Sequence, residues 1–107
     1  MAEQSVVNAV RRFMRLANEA GINIERAILY GSHARGEANK WSDIDLIVIS
    51  PEFEGGPDRR LIHKLWELSG LIDSRIEPVL CGEREWLEDD AQPILEIARQ
   101  EGIVIRP

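Results

Sequence analysis

Residues 26–49 read RAILYGSHARGEANKWSDIDLIVI, and the fold class turns on them. Arg26-Ala-Ile-Leu-Tyr30 is a short apolar run that stops abruptly at Gly31-Ser32. Such a run predicts a buried strand ending in a tight bend. Asp43-Ile-Asp-Leu-Ile-Val-Ile49 is rich in β-branched residues and acidic only at its beginning, which predicts a central strand. Between the two, residues 33–42 are polar and contain Gly36, so they form a connection with room for one helical turn.

Working outward, Val6, Val7, Val10, Phe13, Met14, Ala17 and Ala20 recur at three- and four-residue steps. That spacing predicts an amphipathic helix over 3–20, closed by Gly21. Pro51 to Pro57 holds two prolines and two glycines and reads as a loop. Asp58 then caps a helix whose apolar positions are Leu61, Ile62, Leu65, Trp66 and Leu68, ending near Gly70. Arg75 to Leu80 is a third strand, confined to an edge or a strand end by Pro78, which has no amide proton to donate. A last amphipathic helix is expected from Trp86 to Gln100, with Pro93 in a first turn, and Ile103-Val-Ile105 adds a short strand after Gly102. The expectation is one α/β (α+β) domain over 1–107. It would be a small mixed sheet of three to four strands with helices packed on it.

Composition bounds the function. A chain of 107 residues, 44% hydrophobic and 30% charged, is globular and long enough for a core without staples. A net charge of −6 disfavours a broad grip on nucleic-acid backbone, which needs a basic face. The lone Cys81 excludes an internal disulfide and a cysteine-rich zinc module. No apolar run approaches the ~18–20 residues that span a bilayer, and the start MAEQSVVNAVRR lacks the order of a secretory signal. The expected setting is the cytoplasm, with no membrane partner.

The chemistry lies in the acids and the bend. Asp43 and Asp45 stand two apart at the start of a strand, so both point to one face, about 6.5 Å apart at ~3.3 Å per residue. Carboxylates without cysteine or clustered histidine suit Mg²⁺ or Mn²⁺ rather than Zn²⁺. Two oxygen-ligated ions about 3.5–4 Å apart can stabilise the attacking and leaving oxygens of phosphoryl transfer. An Asp-x-Asp by itself also fits the solvated end of any strand, and Gly-Ser by itself fits any turn. At Gly31-Ser32 a small hydroxyl follows a residue that lets backbone approach a ligand, which suits an anion such as a triphosphate.

Together these pieces say more than either does alone. Gly31-Ser32, ten residues, then Asp43-Ile-Asp45 opening a β-branched strand resembles the signature of the nucleotidyltransferase superfamily that includes DNA polymerase beta. Ala34-Arg35-Gly36 after the bend, Ser42-Asp43-Ile-Asp45-Leu46 and the short chain resemble its minimal nucleotidyltransferase (MNT) branch. The resemblance implies the nucleotidyltransferase fold and transfer of a nucleoside monophosphate from a Mg²⁺-bound triphosphate, with release of pyrophosphate. By position it assigns Gly31 and Ser32 to the triphosphate, and Asp43 and Asp45 to the metals, two Mg²⁺ ions with Mn²⁺ as a substitute. Glu77 becomes the third carboxylate, completing one metal site and orienting or deprotonating the acceptor hydroxyl. A neighbour such as Arg75 could instead neutralise Glu77. Arg35 is a candidate phosphate contact, since a guanidinium binds phosphate oxygens bidentately.

Chains of this size and type resemble the antitoxin half of toxin–antitoxin pairs whose partner is a HEPN-class ribonuclease. The resemblance then implies ATP as substrate and a tyrosine of the HEPN-type toxin as the AMP acceptor. Two alternatives stand beside this: a non-catalytic module that neutralises a partner by docking, and a freestanding enzyme acting on a small molecule. Of the remaining residues, His33 is expected to be solvated, Lys40 to meet phosphate or solvent, and Trp41 to pack. His63 is expected to be structural, and Cys81 to be unreactive, having no basic neighbour in sequence.

Overall fold

The computed structural model describes residues 3–107; Met1 and Ala2, which belong to the stretch read above for a secretory signal, lie outside the described residues. Helix α1 (Gln4–Glu19) leads into β1 (Arg26–Tyr30), the one-turn α2 (Ser32–Arg35) and β2 (Ile44–Ile49). A 3-10 turn at Pro51–Phe53 precedes α3 (Arg59–Ile72), and β3 (Ile76–Cys81), α4 (Glu83–Glu88), α5 (Pro93–Glu101) and β4 (Ile103–Ile105) complete the chain. The strands form a four-stranded mixed sheet in the order β3-β2-β1-β4. β1 is antiparallel to both β2 and β4, and β2 is parallel to β3. A parallel pair needs a crossover, and α3 supplies it.

Alternation along the strands sorts side chains to two faces. On one, Ala27, Leu29, Leu46 and Val48 meet Val6, Val10, Phe13 and Met14 of α1 and Leu65 and Leu68 of α3. On the other, Ile28, Tyr30, Ile47 and Ile49 meet Leu95 and Ala98 of α5, with Trp86 and Val79 at the margin. Asp58 caps α3 by accepting from the Arg60 amide at 2.8 Å, as expected. Pro78 sits in β3, the edge strand, where a missing donor is tolerated. The Asp43–Ile49 strand begins one residue late, at Ile44, and shares the middle of the sheet with β1. Helix α3 runs past Gly70 to Ile72.

The largest departure is at the end of the chain, where the single helix expected over 86–100 is two. Gln92 caps α5 with Pro93 at its first position, so the ring cannot continue α4. Asp89 makes the break stable by accepting from the Ala91 amide at 2.8 Å and the Gln92 side chain at 2.9 Å. Arg99 of α5 then donates to the carbonyls of Trp86 (2.7 Å) and Glu85 (3.2 Å), satisfying α4's last acceptors.

Candidate active site

The sheet register builds the site. Tyr30, the last residue of β1, lies opposite Asp45, and Asp45 lies beside Glu77 of β3. Asp43 precedes β2 by one residue and falls on the same side as Asp45 by alternation. The three acids therefore stand at one end of one face of the sheet. Asp43 is exposed, and Asp45 and Glu77 are half-buried.

Bend and acids touch. Gly31 has φ 78° and ψ −155°, a conformation open to glycine alone, and a Cβ there would run into Asp45 Oδ2. The segment from the bend to Asp43 is tied down at both ends. The Asn39 amide donates to Ser42 Oγ at 3.0 Å, and the Trp41 amide donates to Asn39 Oδ1 at 2.8 Å. The Ile44 amide donates to the Arg75 carbonyl at 2.7 Å. His33 is part of this brace. It is 6% exposed rather than solvated, with Nε2 3.3 Å from the Ser42 carbonyl oxygen, so it links α2 to the residue before Asp43.

The cluster is only weakly neutralised: the pull of His33 and Arg35 on Asp45 is smaller than the opposing effects of burial and Asp43. Among the described residues, no ion pair or side-chain hydrogen bond takes Asp43, Asp45 or Glu77. Arg75, the alternative partner for Glu77, instead holds Asp73 through Nη2 at 2.8 Å and Nε at 3.0 Å. Burial, and then the charge of Asp43, raises the Asp45 carboxyl above its ordinary value. Burial, then Asp43 and Asp45, does the same to Glu77. Burial followed by these two carboxylates, Asp45 and Glu77, pushes the Tyr30 phenol up to about 12. Like charges this close fit a bound divalent cation, and an all-oxygen donor set is the hard type that Mg²⁺ takes. Among the described residues no three acid, histidine or cysteine side chains are gathered into a ready-made cage.

Two of the donors at the bend are engaged from within the chain. The Gly31 amide donates to Glu101 Oε1 at 3.0 Å, and Arg35 Nη1 donates to Glu101 Oε1 and Oε2 at 3.0 and 3.3 Å. Arg35 Nε donates to Glu37 Oε2 at 3.2 Å. Sequence reasoning missed Glu101. The one hint was an acid in the last turn of a helix, where the macrodipole favours a base.

Other expectations fail on exposure. Trp41 is 79% exposed, with the Lys40 ammonium 4.9 Å from its ring centroid, so it does not pack in the core. His63 is exposed on α3, and Trp66 is 44% exposed, because the helix turns only Leu65, Leu68 and Ser69 fully inward. Cys81, by contrast, fits the expectation of an unreactive thiol: it is buried, and burial, with Glu85 nearby, pushes the thiol up to about 12, the opposite of activation. A cavity of about 300 Å³ lined by Glu3, His33, Asn39, Lys40 and Arg75 includes none of the three acids.

The family model for the nucleotidyltransferase domain matches residues 9–102. This chain belongs to that family. Its members transfer nucleotidyl groups from nucleoside triphosphates, and the match spans the strand–bend–strand segment and its acids. The fold resembles the crystal structure of a protein from Sulfolobus solfataricus designated, by inference, a nucleotidyltransferase. The TM-score is 0.61 at 15% identity, over 94% of this chain and 78% of that one. A second solved structure, designated by inference a minimal nucleotidyltransferase, is 27% identical with a TM-score of 0.50, over 96% of this chain and 95% of that one. No curated protein matches this sequence. Among the described residues no helix is long and apolar enough to cross a membrane.

Proposed function

We propose that this nucleotidyltransferase is a Mg²⁺-dependent minimal enzyme, one domain over 1–107. It transfers AMP from ATP to a hydroxyl, a tyrosine of a HEPN-type toxin partner, in a cytoplasmic toxin–antitoxin pair. One observation carries the catalytic part. Asp45 and Glu77 lie side by side in register, with Asp43 on the same side, Asp45 lies against the Gly31 bend, and among the described residues none of the three is in an ion pair. The acceptor and partner rest on the motif's resemblance to the minimal branch and on the likeness to a structure of that designation.

In this reading Gly31, Ser32 and Arg35 hold the triphosphate, and Asp43, Asp45 and Glu77 hold the cation. Mg²⁺, when bound, neutralises charge at the phosphates. Glu77 orients the acceptor hydroxyl and takes its proton. The acceptor oxygen bonds to the α-phosphorus as the bond to the bridging oxygen breaks, and pyrophosphate leaves with that electron pair. The test uses the purified chain, α-labelled ATP, Mg²⁺ and the product of the adjacent reading frame. Label on a partner tyrosine is expected, and no label on any partner residue overturns the acceptor assignment. Asp43→Ala and Asp45→Ala should abolish neutralisation while the complex still forms. Neutralisation that survives both changes indicates docking alone.

A further inference from the structure

We infer that Glu101 is an internal competitor for the triphosphate, a carboxylate that must leave the Gly31 amide and the Arg35 guanidinium before a nucleotide can take them. The inference rests on the proposed nucleotide site at this bend.

Glu101 lies 70 residues from Gly31 in sequence, yet it engages two of the donors that a phosphate would need there. The Gly31 amide has one proton and gives it to Oε1 at 3.0 Å, and Arg35 Nη1 faces both carboxylate oxygens. A carboxylate and a phosphate oxygen have the same charge sign and the same acceptor chemistry, so one set of donors cannot serve both at full strength. The placement is enforced by the backbone. Gly102, the next residue, packs so tightly that a Cβ would strike the Ala98 carbonyl and Ile28 Cγ2, and β4 then pairs with β1. An acid in the last turn of α5 opposes the helix dipole, and the bend's donors offset that. The pair is also displaceable: the Arg35 side chain is 44% exposed and that of Glu101 25% exposed, so water and a polyvalent anion can both reach it.

The experiment measures binding of Mg²⁺ with inorganic tripolyphosphate, and of Mg²⁺ with ATP, by calorimetry on the full chain and on Glu101→Gln and Glu101→Ala. Circular dichroism confirms the fold of each variant. Both ligands should bind about tenfold more tightly to each variant, because a charged competitor for the donors has been removed. Unchanged or weaker binding overturns the competition and makes Glu101 a positioning residue for Arg35. Absence of binding to every form overturns the nucleotide site itself, which separates the two failures. The wild-type chain gives a second readout that depends on no substitution. In a tripolyphosphate titration followed by NMR, the Gly31 amide and the Glu101 carboxyl carbon should move together. A Gly31 signal that moves while Glu101 stays fixed overturns the inference.

Discussion

Asp45 stands at the centre of the candidate site: it is half-buried, touches the Gly31 bend, and borders both Tyr30 and Glu77. Asp43→Asn and Asp45→Asn should each lower the transfer rate at least about a hundredfold, since a lost cation ligand removes several kcal/mol of charge stabilisation. Thermal melts at neutral pH should show no loss of stability in Asp45→Asn, because the acid has no partner to lose. The pH dependence has a definite sign. Asp45 and Glu77 titrate higher in the fold than in the unfolded chain, so the native state binds more protons between the two values. Stability therefore falls as pH rises from about 4, the ordinary carboxylate value, through the raised native values. Melts across that window should show the decline, and Asp45→Asn should flatten it. Asp43 and Asp45 were legible in the sequence only in combination with Gly31-Ser32, ten intervening residues earlier, because an Asp-x-Asp alone fits the end of any strand. Glu101 was not, because its meaning depends on a contact spanning 70 residues.

Among the elements, the bend between β1 and α2 and the junction between α5 and β4 tolerate least change. Gly31→Ala adds a methyl at φ 78° and against the Asp45 carboxylate, so it should cost roughly 1–3 kcal/mol and abolish nucleotide binding. Gly102→Ala should cost a similar ~1–3 kcal/mol through overpacking against Ile28, read as a lowered midpoint in urea. Strand positions were readable wherever an apolar run met a strong stop, as at Tyr30-Gly31 and Ser50-Pro51. The split of the last helix was not, because Leu87, Ile94 and Ile97 keep a helical rhythm across the break yet are exposed or nearly so. Only Pro93, read as a residue of a first turn, marked where a new helix begins. The histidines failed for the opposite reason. A residue type that suits both core and surface carries no pattern, and His33 and His63 each took the other's expected place.

On the scale of the whole molecule, a net charge of −6 surrounds a site that must receive an anion carrying several charges of its own. Binding of ATP should therefore depend on the divalent cation: chelating it should weaken affinity at least about tenfold, measured by titration at fixed ionic strength. The mixed sheet adds a constraint in time. Asp43 and Asp45 come from one hairpin, whereas Glu77 arrives only when the crossover through α3 has carried the chain back to lie parallel to β2. Synthesis from the amino terminus thus presents the aspartate pair well before the glutamate, so a growing polypeptide passes through a stage that holds the bend's sequence and yet lacks the proposed base. In the proposed mechanism, the set of three acids is complete only once that parallel pairing closes.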